Sequence, residues 1–220
     1  MIDLTAAPFS LDDEAVTWVR DTLAAMGEDE KLGQLFCLIT YTSDPGYLQF
    51  LTRGLHVGGV MLRTMSAADA LDTVTTLQST AVVPLLISAN LEGGASQTLL
   101  EATHVGANMA LAATGSLDQV RAAATVLGRE ARAVGINWAF TPVVDIDLNF
   151  RNPITNTRTF GSDPAAVAAM GAAYVDALQA EGLAASVKHF PGDGVDERDQ
   201  HLLASVNTMT VEEWEQTFGQ

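Results

Sequence analysis

The sequence predicts an α/β fold, a (β/α)8 barrel of the TIM type that stops after about its fifth strand. Three observations carry this expectation. Five short apolar, β-branched runs alternate with helical patterns along the 220 residues, as buried parallel strands and their covering helices do. Polar and charged residues (Asn90, Glu92, Asp145, Asp147, His189, Asp193) gather just after successive runs, where barrel enzymes keep their reactive groups. No G-x-G-x-x-G or G-x-x-x-x-G-K-[ST] follows the first run, which weakens the alternative of a doubly wound nucleotide-binding sheet. A complete barrel needs eight strands and usually about 250 residues. Five strands make part of one.

Residues 10–28 read as an amphipathic helix ahead of the first strand. The strands are expected at 33–40 (GQLFCLIT), 58–62 (GGVML), 83–89 (VPLLISA), 136–144 (INWAFTPVV) and 184–190 (AASVKHF). Helix ends are marked between them. Ser116 with Gln119 three residues on opens a helix through RAAATVLGREARAV, and Gly135 stops it. Asp163 before Pro164 is an N-cap and first-turn pair, with Gly182 as the stop. Thr210 with Glu213 forms a further capping box. No repeat, low-complexity tract or linker interrupts the pattern, so residues 1–220 read as one domain. LEGGASQ and the loop after Lys188 lie inside the βα alternation and read as functional loops.

Composition narrows the partners. Eleven basic against twenty-seven acidic residues give a formal charge of -16, which repels nucleic acid and anionic membranes. The N-terminal stretch MIDLTAAPFSLDDE has no basic and apolar leader pattern, and no run approaches the ~20 apolar residues of a membrane span. A cytoplasmic protein is expected. Cys37 is the single cysteine, and its place in LFCLIT predicts a buried core thiol and excludes an internal disulfide.

The densest chemistry lies in KHFPGDGVDERDQHL, which holds two of the four histidines. Lys188 and His189 close the fifth strand, and Pro191, Gly192 and Gly194 break regular structure after it. Asp199 stands two residues before His201, placed to accept from one ring nitrogen and fix the tautomer. The stretch matches neither the calcium-loop pattern nor H-E-x-x-H, so no metal and no cofactor is expected. Asp145 and Asp147 alternate along an extended segment, so one of them can face the barrel mouth; Asp145 is favoured. His56 and His104 lack supporting neighbours and read as ordinary surface or packed histidines.

In order and spacing, EKLGQLF, GGVML, EGG, TPVVDID, NPITNTRTFGSDP and KHFPGDG with DQH downstream resemble glycoside hydrolase family 3. Within it, the chain is most similar to the bacterial β-N-acetylglucosaminidases. The resemblance implies a retaining glycosidase in which Asp199 and His201 form an acid/base dyad. It also makes Lys188, His189 and Arg158 sugar-binding residues and puts Asp145 near the sugar pocket. Lys188 also has a structural alternative as the partner of a strand-end carboxylate, and Arg158 as a structural ion-pair or helix-preceding residue. In the family pattern the nucleophilic aspartate lies on a later strand, beyond Gln220.

Three features depart from that pattern. Asn90 stands where an aspartate is usual, Asp193 replaces a histidine, and Ala95, Ser96 and Gln97 follow the two glycines without the usual arginine. Asn90 can still bond a sugar hydroxyl but brings no charge. The implied substrate is a small carbohydrate bearing terminal β-linked N-acetylglucosamine. The alternatives are a β-N-acetylglucosaminide phosphorylase and a non-catalytic carbohydrate-binding fragment.

Overall fold

The computed structural model describes residues 2–220. Helix α1 (Asp13–Ala25) starts where the Asp12 side chain accepts from the Ala15 N–H, and α2 (Glu28–Gly33) follows. Strand and helix then alternate. β1 (Cys37–Thr40) leads through α3 (Pro45–Gln49) and a π-helical turn at Phe50–Gly54 into β2 (Gly59–Leu62). α4 (Ala67–Thr80) returns to β3 (Leu86–Ala89), and α5 (Asn108–Ala112) with α6 (Leu117–Ala133) returns to β4 (Trp138–Ala139). α7 (Pro164–Ala180) precedes β5 (Ala184–Ala185), and α8 (Val211–Glu215) comes last.

The caps form as the sequence predicts. Ser116 accepts from the Gln119 N–H, Asp163 from those of Ala165 and Ala166, and Thr210 and Glu213 make both halves of a capping box. Each bond satisfies N–H groups that a helix start leaves without partners.

All five strands are parallel and lie in chain order, β1-β2-β3-β4-β5. That is the order in which a (β/α) barrel lays down its strands. Several runs pair over shorter lengths than expected. Gly33 belongs to α2, so β1 begins at Cys37. β4 and β5 pair over two residues each, and the ladder resumes at the Val143–Lys188 bridge. Pro142, which has no N–H to give, lies in the gap.

Period-2 alternation divides the sheet into two faces. Val60, Leu62, Ile87, Ala89 and Ala139 join Val74 and Leu77 of α4, Val120 and Leu127 of α6, and Tyr174 and Leu178 of α7 in one buried cluster. The core therefore sits between sheet and helices. The opposite face carries Cys37, Ile39, Leu86, Ser88 and Trp138, and it is only partly covered: Ile39 is 42% and Leu86 50% exposed, while Ser88 is buried. Cys37 belongs to that face. It is half-buried, with Sγ 3.3 Å from Ser88 Oγ, which corrects the expectation of a core thiol. Among the described residues no helix is long and apolar enough to cross a membrane.

Candidate active site

The segments following β3, β4 and β5 meet in one cluster of charged side chains. Its hub is Glu92. Arg158 grips the Glu92 carboxylate with both arms of its fork, Nε to Oε2 at 2.7 Å and Nη2 to Oε1 at 2.9 Å. Lys188 Nζ lies 2.5 Å from Oε1 of the same carboxylate and donates to Asn90 Oδ1 at 3.3 Å. Burial would raise the pKa of Glu92, but the hydrogen bonds from Arg158 and Lys188 outweigh it and hold the value at about 2. The bond to Glu92 in turn raises the pKa of the Arg158 guanidinium.

The Glu92 loop is shaped for close approach. Gly94 has φ of 113°, and a Cβ there would lie 2.5 Å from the Thr103 carbonyl oxygen, so only glycine fits. Gln97 Oε1 accepts from the Glu92 N–H at 2.7 Å. Beside this loop a cleft of about 540 Å³ is lined by Asn90, Glu92, Gln97, His104, Asn108 and Arg158, among others. His104, expected to be an ordinary histidine, borders it.

A second carboxylate, Asp145, is buried at 1% exposure and organises the segment after β5. It accepts from His189 Nδ1 at 2.6 Å, from the His189 N–H at 3.1 Å and from the Asp193 N–H at 2.8 Å. Asp147 points elsewhere and accepts from Thr155 Oγ1. His189 Nε2 lies 3.4 Å from Arg158 Nη2, so His189 links the two carboxylate centres. Arginine only donates, so Nε2 is the acceptor and the ring proton sits on Nδ1, facing Asp145.

The loop beyond His189 is docked on the segment after β4. Leu148 and Asn149 donate their N–H groups to the Gly194 carbonyl, and Asn149 Nδ2 donates to that of Val195. Asn152, buried, donates through Nδ2 to Asp193 Oδ1 and to the Asp196 carbonyl. Further out, His201 Nδ1 is 2.7 Å from Asp199 Oδ1, which also accepts from the His201 N–H at 2.8 Å. These bonds, backbone first, lower the Asp199 pKa. The His201 side chain is 70% exposed. No hydrogen bond or ion pair among the described residues joins this pair to the Glu92 cluster.

The structure thus brings Asn90, Asp145, Arg158, Lys188 and His189 together and leaves Asp199 and His201 as a separate pair on an outer loop. Lys188 and Arg158 form the ion pairs named as their structural alternative. Glu92, which the sequence marks only as a strand-end charge, belongs to the site as well. Its signal was a lone carboxylate between a buried strand and two glycines. Both histidines of 188–202 are committed, His189 to Asp145 and His201 to Asp199, while Asp196 pairs with Arg198 and Glu197 with Arg151.

Comparison with known proteins places the chain in a family. The chain is 85% identical over 219 residues to a Cellulomonas fimi protein named β-N-acetylglucosaminidase/β-glucosidase, spanning 100% of this chain and 39% of that protein's length. Its fold superimposes on a β-glucoside phosphorylase, BglX, with a TM-score of 0.93 at 40% identity, covering 98% of this chain and 39% of the other. A family 3 β-N-acetylglucosaminidase from Paenibacillus sp. str. FPU-7 gives 0.83 at 34% identity, over 88% and 39%. The model of the glycosyl hydrolase family 3 N-terminal domain matches residues 28–220. The chain therefore belongs to glycoside hydrolase family 3, and the fold it carries is the TIM-barrel-type α/β fold of that family's N-terminal domain.

Proposed function

We propose that residues 1–220 are a single domain, the N-terminal part of a retaining β-glycosidase barrel acting on terminal β-linked N-acetylglucosamine. The observation that carries the reading is the Asp199–His201 pair, hydrogen-bonded at 2.7 Å on the loop that follows Lys188 and His189. With Nδ1 turned to Asp199, Nε2 faces outward as the proton-transfer atom. In the first step the C1–O bond of the substrate breaks, and the departing oxygen takes the proton from Nε2 while an enzyme carboxylate bonds to C1. In the second, Nε2 takes a proton from water, whose oxygen attacks C1 and releases that carboxylate. A histidine side chain can give a proton in one step and take one in the next without deep burial.

In this reading Lys188, Arg158, His189, Asn90 and Asp145 form the floor that binds the sugar. Glu92 sets the two cations so that their remaining N–H groups face the sugar hydroxyls. The nucleophilic carboxylate belongs to a later strand than β5, and the chain spans 39% of the length of its Cellulomonas relative. The dyad loop closes over bound sugar and opens to release it.

A second reading, a phosphorylase of the same family, is favoured by the likeness to BglX at 40% identity. A neutral imidazole base repels an incoming phosphate less than a carboxylate would. One experiment addresses both readings. Chromogenic β-N-acetylglucosaminide and β-glucoside are offered to the 220-residue chain and to a longer version, with and without phosphate, beside His201→Ala. Hydrolysis abolished by the substitution supports the glycosidase; sugar 1-phosphate that appears only with phosphate supports the phosphorylase. Full activity in His201→Ala overturns the acid/base assignment.

A further inference from the structure

The loop bearing Asp199 and His201 has few ties of its own. Residues 200–208 are all exposed, and the turn at Leu202 and Leu203, whose N–H groups donate to the Asp199 carbonyl, is local. One carboxylate closes the loop at its base. Asp196 Oδ2 accepts from the Val206 N–H and from Arg198 Nη2, each at 2.6 Å, and Oδ1 accepts from Arg198 N and Nε at 3.1 and 3.0 Å. Asp196 is itself held to the barrel floor, since its carbonyl accepts from the buried Asn152 at 2.7 Å. A chain of bonds thus runs from Asn152 through Asp196 to Val206, with the dyad on the segment it encloses.

We propose that Asp196 is a positioning residue that, with Arg198 and the Val206 N–H, shuts the base of the dyad loop and fixes where Asp199 and His201 can reach. The inference rests on the acid/base reading of that pair. Pinning residue 196 to residue 206 removes the freedom of a wide loop and leaves a narrow range of positions for the imidazole. Displacement of a catalytic group by about 1 Å costs on the order of a hundred-fold in rate. Asp196 acts through the loop, because its carboxylate oxygens are occupied by Arg198 and Val206. Their hydrogen bonds, Arg198's first, hold this carboxyl far below the usual carboxylate range.

Two variants and two readouts test it. Asp196→Asn removes the charge, and Val206→Pro removes one donor while leaving Asp196 and Arg198 in place. Beyond Lys188 the only basic residue is Arg198, so tryptic cleavage after Arg198 reports opening of the loop. Both variants are expected to be cut about ten-fold faster than the unaltered chain, with little change in thermal midpoint.

In the full-length protein, kcat on a substrate with a poor alkyl leaving group is expected to fall about ten-fold or more. KM should stay the same, and a dinitrophenyl glycoside, whose leaving group needs no proton, should be spared. Unchanged cleavage in both variants overturns the proposal, as does a loss that is equal for both leaving groups or confined to KM. His201→Ala separates the two levels. If it loses the alkyl substrate while Asp196→Asn does not, the latch alone fails; if it keeps it, the acid/base reading fails and the latch with it.

Discussion

The Glu92 carboxylate lies 2.5 Å from the Lys188 ammonium and ties the loop after β3 to the segment after β5. Arg158 holds the same carboxylate from the segment after β4. Three βα units are therefore joined at their mouth by one side chain that is 12% exposed.

Glu92 links stability to pH. Its pKa falls from the ordinary 4.5 to about 2 on folding, so its contribution is fully present above 4.5 and is lost as pH falls towards 2. That contribution is roughly 3 kcal/mol. Glu92→Gln should lower stability by about this amount at pH 7, and the gap from the unaltered chain should close on acidification. Urea unfolding of both chains from pH 7 to 2.5 measures it; a gap independent of pH would refute the assignment.

His189 should carry a ring proton on Nδ1, because Nε2 accepts from Arg158 and Nδ1 faces Asp145. Nitrogen-15 NMR of the imidazole distinguishes the tautomers, and the Nε2–H form would sink this reading. Asp145→Ala leaves two backbone N–H groups and a ring N–H without their acceptor, at a cost of about 3 kcal/mol.

Gly194 is required where it stands. Its φ is 114°, and a Cβ there would meet the Ile146 carbonyl oxygen at 2.0 Å. Gly194→Ala should unseat the loop and destabilise the chain by at least about 2 kcal/mol. Hydrogen exchange at Leu148 and Asn149, whose N–H groups donate to Gly194, should then accelerate. Unchanged protection at both would show that the loop docks by other means.

Asp199→Asn keeps the size of the side chain and removes the anionic acceptor of His201 Nδ1. On the acid/base reading, kcat should fall about a hundred-fold while KM stays within a few-fold. A rise in KM with unchanged kcat would instead assign the pair to sugar binding.

The βα order and the helix starts were legible because caps and apolar periods are local. Ser116, Asp163 and Thr210 each act within three residues. Strand extents were less so. The run 136–144 reads as one strand, yet whether Phe140 to Pro142 pair depends on a neighbour far off in sequence. Cys37 misled for a similar reason: an apolar run does not say which face of a sheet the helices cover. Asp145 could be preferred over Asp147 only as one of two alternating carboxylates. Glu92 was hidden most, since Arg158 and Lys188 reach it from different strand ends and no spacing records the meeting.

The sheet order β1-β2-β3-β4-β5 also bears on synthesis. Each strand pairs with the one made just before it, so the sheet can grow at one edge as the chain leaves the ribosome, without waiting for distant segments. The mouth cannot. Glu92 is translated on the order of ten seconds before Lys188 at ordinary elongation rates. During that interval its carboxylate is without the Lys188 ammonium, and the Glu92 ion-pair hub is closed only when the fifth strand has been laid.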